Sequence, residues 1–249
     1  MGFKDHFSGH ADDYSRYRPG YPAALYEYLI EHCAATDVAW DCATGNGQVA
    51  RDLTHWFKQV IATDASAQQI SNAPAQDGVE FRVATAEEPG IAENSLDLVT
   101  VGQALHWFDI PRFMRVAEQL LKSGGVFAAW TYHLNRITPE IDAVTFYLYE
   151  DMLGPYWPPE RVFVESAYAD IEMPFTKLPF PAAIMQEEWT LAEFLGYLNT
   201  WSAGKRFATD HGFNPVAELE LRFEQAWGKA ERKRNVYWPL HGRIGLKSK

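Results

Sequence analysis

Cysteine is nearly missing from this chain: its 249 residues include two, Cys33 and Cys42, and no Cys-x-x-Cys pair. That excludes a disulfide scaffold and a zinc site of the usual ligand spacing, so no metal is expected, and it points to reduced thiols in a cytoplasmic protein. Long apolar runs are also missing, and no stretch approaches the roughly 18 consecutive apolar residues that a membrane span needs. The start, Met1-Gly2-Phe3-Lys4-Asp5-His6, lacks the apolar segment of a secretory signal, so export is not expected. Positive charge is scarce: 22 Lys and Arg against 33 Asp and Glu leave a formal net charge of −11. Such a balance opposes nonspecific attraction to nucleic acid or to an anionic membrane. The one basic cluster, Lys229, Arg232, Lys233, Arg234, Arg243 and Lys247, reads as a solvated helix end and strand face.

What is present is the composition of a globular fold, 47% hydrophobic and 22% charged, long enough for one large α/β domain with a small lobe. Residues 1–22 are polar and aromatic and end in Arg18-Pro19-Gly20-Tyr21-Pro22, where two prolines disfavour regular structure, so they read as an arm or lid. Residues 23–132 read as a doubly wound core. It opens on a helix with Leu25, Tyr28 and Leu29 on one face, and its strands are expected near 38–42, 59–64, 79–83, 96–102 and 125–131. Strands alternating with helices imply right-handed crossovers and a mostly parallel sheet. Ser66 is placed to cap the helix after the second strand, and a helix from Ile110 to Leu121 is expected to stop at Lys122-Ser123-Gly124-Gly125. Residues 133–215 read as a substrate-side cover with one strand near 174–184. Residues 216–249 supply a C-terminal helix, its pattern running from Phe213 to Arg232, and a last strand or hairpin over Arg234 to Lys247. Pro239 confines that strand to an edge or marks a bulge.

The most informative stretch is Asp41-Cys42-Ala43-Thr44-Gly45-Asn46-Gly47, followed by Asp64 at the end of the next apolar run. Two glycines so spaced turn a strand tightly into a helix and let backbone approach a ligand. Asp64 lies 17 residues after Gly47, close to the spacing of about 20 at which an acid meets the two hydroxyls of a ribose. Gly45-x-Gly47-x-x-Ala50 also satisfies the NAD fingerprint, which keeps an NAD-dependent oxidoreductase open as an alternative. Asp41 favours a different ligand. An acid four residues before the first glycine repels a pyrophosphate, whereas it suits the cationic amino group of S-adenosylmethionine, directly or through water. The plainer role for Asp41 is to cap the turn.

The same segments, with Gly102-Gln103-Ala104-Leu105-His106-Trp107-Phe108-Asp109, resemble class I S-adenosylmethionine-dependent methyltransferases. The likeness is to the branch that contains yeast trans-aconitate methyltransferase. Tyr14-Ser15-Arg16-Tyr17-Arg18-Pro19-Gly20-Tyr21-Pro22, Leu153-Gly154-Pro155-Tyr156-Trp157 and Thr200-Trp201-Ser202-Ala203 extend the resemblance over nearly the whole chain. It implies a seven-stranded Rossmann-like sheet whose last strand is antiparallel. It also implies that Asp41, Ala43, Gly45, Asn46 and Gly47 line the methionine side, that Asp64 and Ala65 meet the ribose, and that Ala86 and Glu87 flank the adenine. Thr85 stands where many relatives carry aspartate, and Cys42-Ala43 where Gly-Cys or Gly-Ser is common. Gln103 falls where the chain passes the sulfonium and the transferred methyl, with a strand-end amide bonded to backbone as the plainer alternative.

Methyl transfer to an ionised carboxylate needs no general base, whereas a hydroxyl, amine or carbon acid does. His106, at the end of the fourth strand, is the candidate to orient the acceptor or take its proton. His133 is a weaker candidate for the same work. Six aromatic residues, Trp107, Trp130, Tyr132, Tyr156, Trp157 and Trp201, are candidates to line a substrate cavity. Trp107, Tyr156 and Trp201 lead them, with Tyr14 of the arm beside them. Arg16, Arg18, Arg136, Arg161 and Arg206 are candidates to pair an anion. Arg18 has the strongest case, with an anionic substrate or, equally, the carboxylate of the cofactor as its target. The reading that results is a small-molecule methyltransferase with an organic acid as the acceptor considered. A non-catalytic S-adenosylmethionine-binding relative is a further alternative. A nucleic-acid methyltransferase is disfavoured by the acidic balance and by the lack of an Asn-Pro-Pro-Tyr or Asp-Pro-Pro-Tyr run.

Overall fold

The computed structural model describes residues 19–248. Tyr14, Arg16 and Arg18 therefore lie outside the described residues. Helix α1 (Ala23–Glu31) leads into the unit β1 (Val38–Cys42), α2 (Gln48–Leu53), β2 (Gln59–Asp64), α3 (Ala67–Asn72) and β3 (Val79–Val83). A second unit follows: β4 (Leu96–Gly102), a single 3₁₀ turn (Leu105–Trp107), α4 (Ile110–Leu120) and β5 (Leu121–Tyr132). Strand order is β3-β2-β1-β4-β5-β8-β6, parallel from β3 to β5, with β8 (Arg234–Leu246) antiparallel to β5. Strand order reverses between β1 and β4, and ligands of doubly wound sheets bind beyond the carboxyl ends of the strands at that point.

The central strands are apolar almost throughout because both faces are covered. Side chains alternate between two cores. Ala39, Val126, Ala128 and Trp130 pack beneath α1 and α2, and Trp40, Val99, Phe127 and Ala129 pack against α4. Helix α4 buries Phe113, Met114, Ala117 and Leu120 and is capped by Asp109, which accepts from the Arg112 amide at 3.1 Å. Ser66 caps α3 as expected, accepting from the Gln69 amide at 3.3 Å.

Several boundaries differ from the sequence reading. Strand β5 begins at Leu121, so Lys122-Ser123-Gly124-Gly125 lies inside its start, where the register with β4 shifts and Gly124 takes φ +76°. The strand expected over 174–184 is two: β6 (Thr176–Leu178) and β7 (Ile184–Trp189). The helical pattern from Phe213 to Arg232 is divided at Leu219 into α9 (Pro215–Glu218) and α10 (Glu220–Trp227). The sheet has an eighth strand beyond the seven expected, because β8 is long enough to serve three partners, β5 and β6 on its two edges over its second half and β7 over its first. Residues 234–239 pair with β7 and residues 240–246 with β5. Pro239 falls at the changeover, where only β7 flanks it and its missing amide proton breaks no second ladder.

Between β5 and β8 lies the cover. It contains α5 (Pro139–Phe146) continuing into a wider i→i+5 turn (Tyr147–Met152), then α6 (Arg161–Glu165), α7 (Leu191–Asn199) and α8 (Ser202–His211). Helix α7 starts with a reciprocal cap between Thr190 and Glu193. The cover is held on by aromatic packing, including Trp189, Phe194, Tyr197, Trp227 and Trp238. No helix among the described residues is long and apolar enough to cross a membrane.

Lys229, Arg232 and Lys233 of the basic cluster are exposed as expected, whereas Arg234, Arg243 and Lys247 are half-buried. Lys247 Nζ donates to the carbonyls of Glu118 and Leu121 at 2.6 and 2.7 Å, closing the end of α4. Arg234 donates to the carbonyl of Trp227 at the end of α10. Arg243 holds the carbonyls of Tyr168 and Ala169. Cations satisfy the orphan carbonyls of helix ends, and here they do so in place of an anionic partner.

Candidate active site

The turn after β1 is built from its own residues. Asp41 is 1% exposed. It accepts from Thr44 Oγ1 at 2.5 Å and from Thr100 Oγ1 at 2.9 Å. Burial raises its carboxyl to about 7, against the lowering effect of those two hydroxyls. Asp41 therefore offers the crevice its charge more than its lone pairs, and the capping role is the one its geometry displays. Ala43, Gly45 and Gly47 all have positive φ, at 55°, 57° and 82°. An added Cβ at Gly47 would stand 2.6 Å from the Phe81 ring, whereas at Gly45 nothing lies within 4 Å. Gly47 is thus required by packing, and Gly45 leaves open space beside the backbone. Asn46 gives its carbonyl to Arg51 at 2.6 Å.

Asp64 closes the turn from the end of β2, accepting from the Gly45 amide at 2.9 Å and from the Ser66 amide at 2.8 Å. Ala65 follows it, half-buried. Ala86 is buried, and Glu87 accepts from the Asp109 amide at 3.0 Å, tying the loop after β3 to the start of α4. The cofactor-side residues of the sequence reading that lie within the described chain thus gather at the ends of β1, β2 and β4 and in the loop after β3.

Gln103, at the end of β4, has φ +57°. Its Oε1 accepts from the Tyr132 amide at 3.0 Å and from Thr131 Oγ1, and its Nε2 donates to the Tyr132 carbonyl at 3.1 Å. The amide is turned to β5 and paired on both ends, so the catalytic role expected for it gives way to a positioning one. Left-handed backbone in non-glycine residues costs about 1–3 kcal/mol each. Ala43 and Gln103, each directly after one of the two strands that flank the reversal of strand order, both adopt it, as do Asn94, Ala167 and Tyr168 elsewhere.

His106 is 7% exposed, with Nδ1 3.0 Å from Tyr168 Oη and its ring 4.7 Å from the ring of Trp107. Burial, aided by the nearby Arg161 charge, lowers it to about 3. His133 is lowered to about 4 by the same two causes in the same order, and its buried Nε2 has no partner. Both rings are neutral at ordinary pH and are weak bases.

Trp157 and Trp201, two of the six aromatic candidates of the sequence reading, pack together in the cover with Tyr149. Trp201 packs 5.7 Å from Trp157 and 6.0 Å from Tyr149, and His133 meets the edge of Tyr149 at 4.9 Å. Tyr156 turns away: its hydroxyl is 2.9 Å from His211 Nε2 and its ring packs on Phe207. Trp130 and Tyr132 are core residues, 0% and 7% exposed. Tyr149 and Tyr168 escaped the sequence reading entirely. Each comes from a segment far along the chain, and no spacing in the sequence links them to His133 or His106.

Together these features define a class I, S-adenosylmethionine-dependent methyltransferase fold with a crevice at the reversal of strand order. Residues 40–129 match the methyltransferase domain family. A Dictyostelium discoideum protein described as a methyltransferase is 34% identical over 229 residues, covering 90% of this chain and 87% of that one. A Saccharomyces cerevisiae protein described as an S-adenosylmethionine-dependent methyltransferase is 23% identical over 243 residues, covering 83% and 84%. A solved structure assigned to a type II methyltransferase of Anaeromyxobacter dehalogenans superposes with a TM-score of 0.88 at 41% identity, covering 93% of this chain and 98% of that one. The chain belongs to this methyltransferase family.

Proposed function

We propose that the protein methylates a small organic acid on a carboxylate, with S-adenosylmethionine as donor. The donor set fits that cofactor. Asp41 supplies negative charge beside the turn, Asp64 has carboxylate lone pairs for ribose hydroxyls, and Gly45 leaves its backbone open to approach. When bound, S-adenosylmethionine supplies an electrophilic methyl group. The chain's part is to seat both reactants and exclude water, which suits a crevice roofed by Trp157, Trp201 and Tyr149.

The observation that carries the acceptor class is the state of the two histidines. Lowered to about 3 and about 4, His106 and His133 are neutral rings without an acidic imidazolium proton and are poor bases toward a phenol or an amine. A carboxylate is already ionised at neutral pH and has no proton to lose. His106, fixed by Tyr168, is then a neutral hydrogen-bonding wall of the acceptor site. Transfer of labelled methyl to a panel of small carboxylates, phenols and amines tests this reading. Ester product stable to acid and labile to base is expected, and methylation confined to amines or phenols would overturn it.

A further inference from the structure

We propose that Arg161 is the residue that recognises the acceptor's negative charge. This rests on the methyl-transfer reading of the same crevice. Arg161 Nε donates to Tyr149 Oη at 2.8 Å, and that hydroxyl donates to Glu165 Oε1 at 2.7 Å. The guanidinium lies 4.8 Å from the Trp157 ring centroid and 5.3 Å from that of Tyr149, which fixes the plane of its fork. Among the described residues no carboxylate approaches it within 4.0 Å, and its terminal nitrogens have no hydrogen-bond partner. Glu165 reaches it only through the intervening hydroxyl.

Two arginines of β8 show what a structural guanidinium does in this fold. Arg234 donates from Nε and a terminal nitrogen to the Trp227 carbonyl, and Arg243 donates from one terminal nitrogen to the carbonyls of Tyr168 and Ala169. Arg161 instead holds an unused fork whose field reaches both His106 and His133, at the ends of β4 and β5. A planar guanidinium presents two parallel N–H groups that match a carboxylate, and loss of solvent strengthens the pair. The orphan Nε2 of the neutral His133 adds a hydrogen-bonding atom beside it. The ligand class is therefore a small organic anion with a planar carboxylate, and a cationic acceptor is disfavoured by repulsion.

The test compares the full chain with Arg161→Met and Arg161→Lys, using labelled S-adenosylmethionine and small carboxylates, uncharged amides, phenols and amines. S-adenosylhomocysteine affinity is measured alongside by calorimetry. A carboxylate is expected as the best acceptor, with KM raised on the order of 30-fold in Arg161→Met and partly restored in Arg161→Lys. S-adenosylhomocysteine affinity should stay within about twofold, since Arg161 touches none of the donor-side residues. Unchanged KM in a folded Arg161→Met protein, or no restoration of a raised KM in a folded Arg161→Lys protein, would overturn the proposal. So would an uncharged or cationic best acceptor, or no acceptor among the carboxylates for a protein that binds S-adenosylhomocysteine. Failure of the unmodified chain to bind S-adenosylhomocysteine would instead overturn the methyl-transfer reading beneath it.

Discussion

The backbone amide of Gly45 donates to Asp64 Oδ2 at 2.9 Å, so the turn after β1 is latched to the end of β2 by one side chain. The other carboxylate oxygen takes the Ser66 amide at 2.8 Å, at the cap of α3. Asp64→Ala orphans both amides and should lower unfolding free energy by about 1–3 kcal/mol in urea titration. S-adenosylhomocysteine affinity should fall by about tenfold or more with it, from lost contacts to the ligand and a loosened turn. Asp64→Asn keeps one acceptor oxygen and should fall between. Wild-type affinity in a folded Asp64→Ala protein would remove Asp64 from the donor site.

Asp41 makes donor binding depend on pH. Its folded carboxyl is raised to about 7, above its unfolded value, so its contribution to stability is present in acid and lost as pH rises through about 7. A cationic ligand favours the ionised form, and its affinity runs the opposite way. Affinity for S-adenosylhomocysteine should drop by up to about tenfold from pH 7.5 to pH 6, with proton release visible as buffer-dependent heat. Asp41→Asn should bind weakly and lose that slope. An equal slope in the variant would place the titrating group elsewhere.

The two turn glycines should fail in different ways. Gly47→Ala drives a methyl group to 2.6 Å from Phe81 at φ +82°, and a loss of about 1–3 kcal/mol in thermal or urea unfolding is expected. Gly45→Ala meets no atom within 4 Å, so only its left-handed backbone, about 1 kcal/mol, should register in stability. The larger effect at Gly45 should be on cofactor affinity, because the added methyl takes the open side of the turn. Equal affinity for the two variants would contradict this division.

His106 and His133 tie stability to pH in the opposite sense from Asp41. Their folded values lie below the ordinary histidine value of 6.5, at about 3 and about 4. The stability of holding them neutral is complete above pH 6.5 and is lost as pH falls toward 4. His106→Gln should flatten the acid limb of the stability curve relative to the parent. Tyr168→Phe removes the partner of His106 Nδ1 and should cost about 1–3 kcal/mol, with little change in methyl transfer if His106 acts as a wall and not as a base. A steeper acid limb in His106→Gln would show that the ring is protonated in the folded protein.

The first four strands were legible because 38–42, 59–64 and 96–102 are apolar runs with a turn at each end, as a buried parallel strand needs, and the edge strand 79–83 alternates apolar and charged residues. The start of β5 was not. Gly124 and Gly125 look like a loop, yet they form the irregular, register-shifted start of the strand against β4. The clustering of Asp41, Gly45, Gly47 and Asp64 at one turn was readable because their spacing is set by one short βα turn and one crossover.

The acceptor side obeys no such local rule. Tyr168 reaches His106 from 62 residues away, and Trp157 rather than its neighbour Tyr156 turns toward Trp201. The sequence by itself determined the doubly wound sheet, the turn glycines and the acids beside them, because local periodicity and steric need dictate those features. Only the tertiary structure decided that Arg161 keeps its terminal nitrogens without protein partners, which histidines lose their basicity and which aromatic rings pack together in the cover. Those properties arise from burial and distance between segments remote along the chain, and no residue carries them alone.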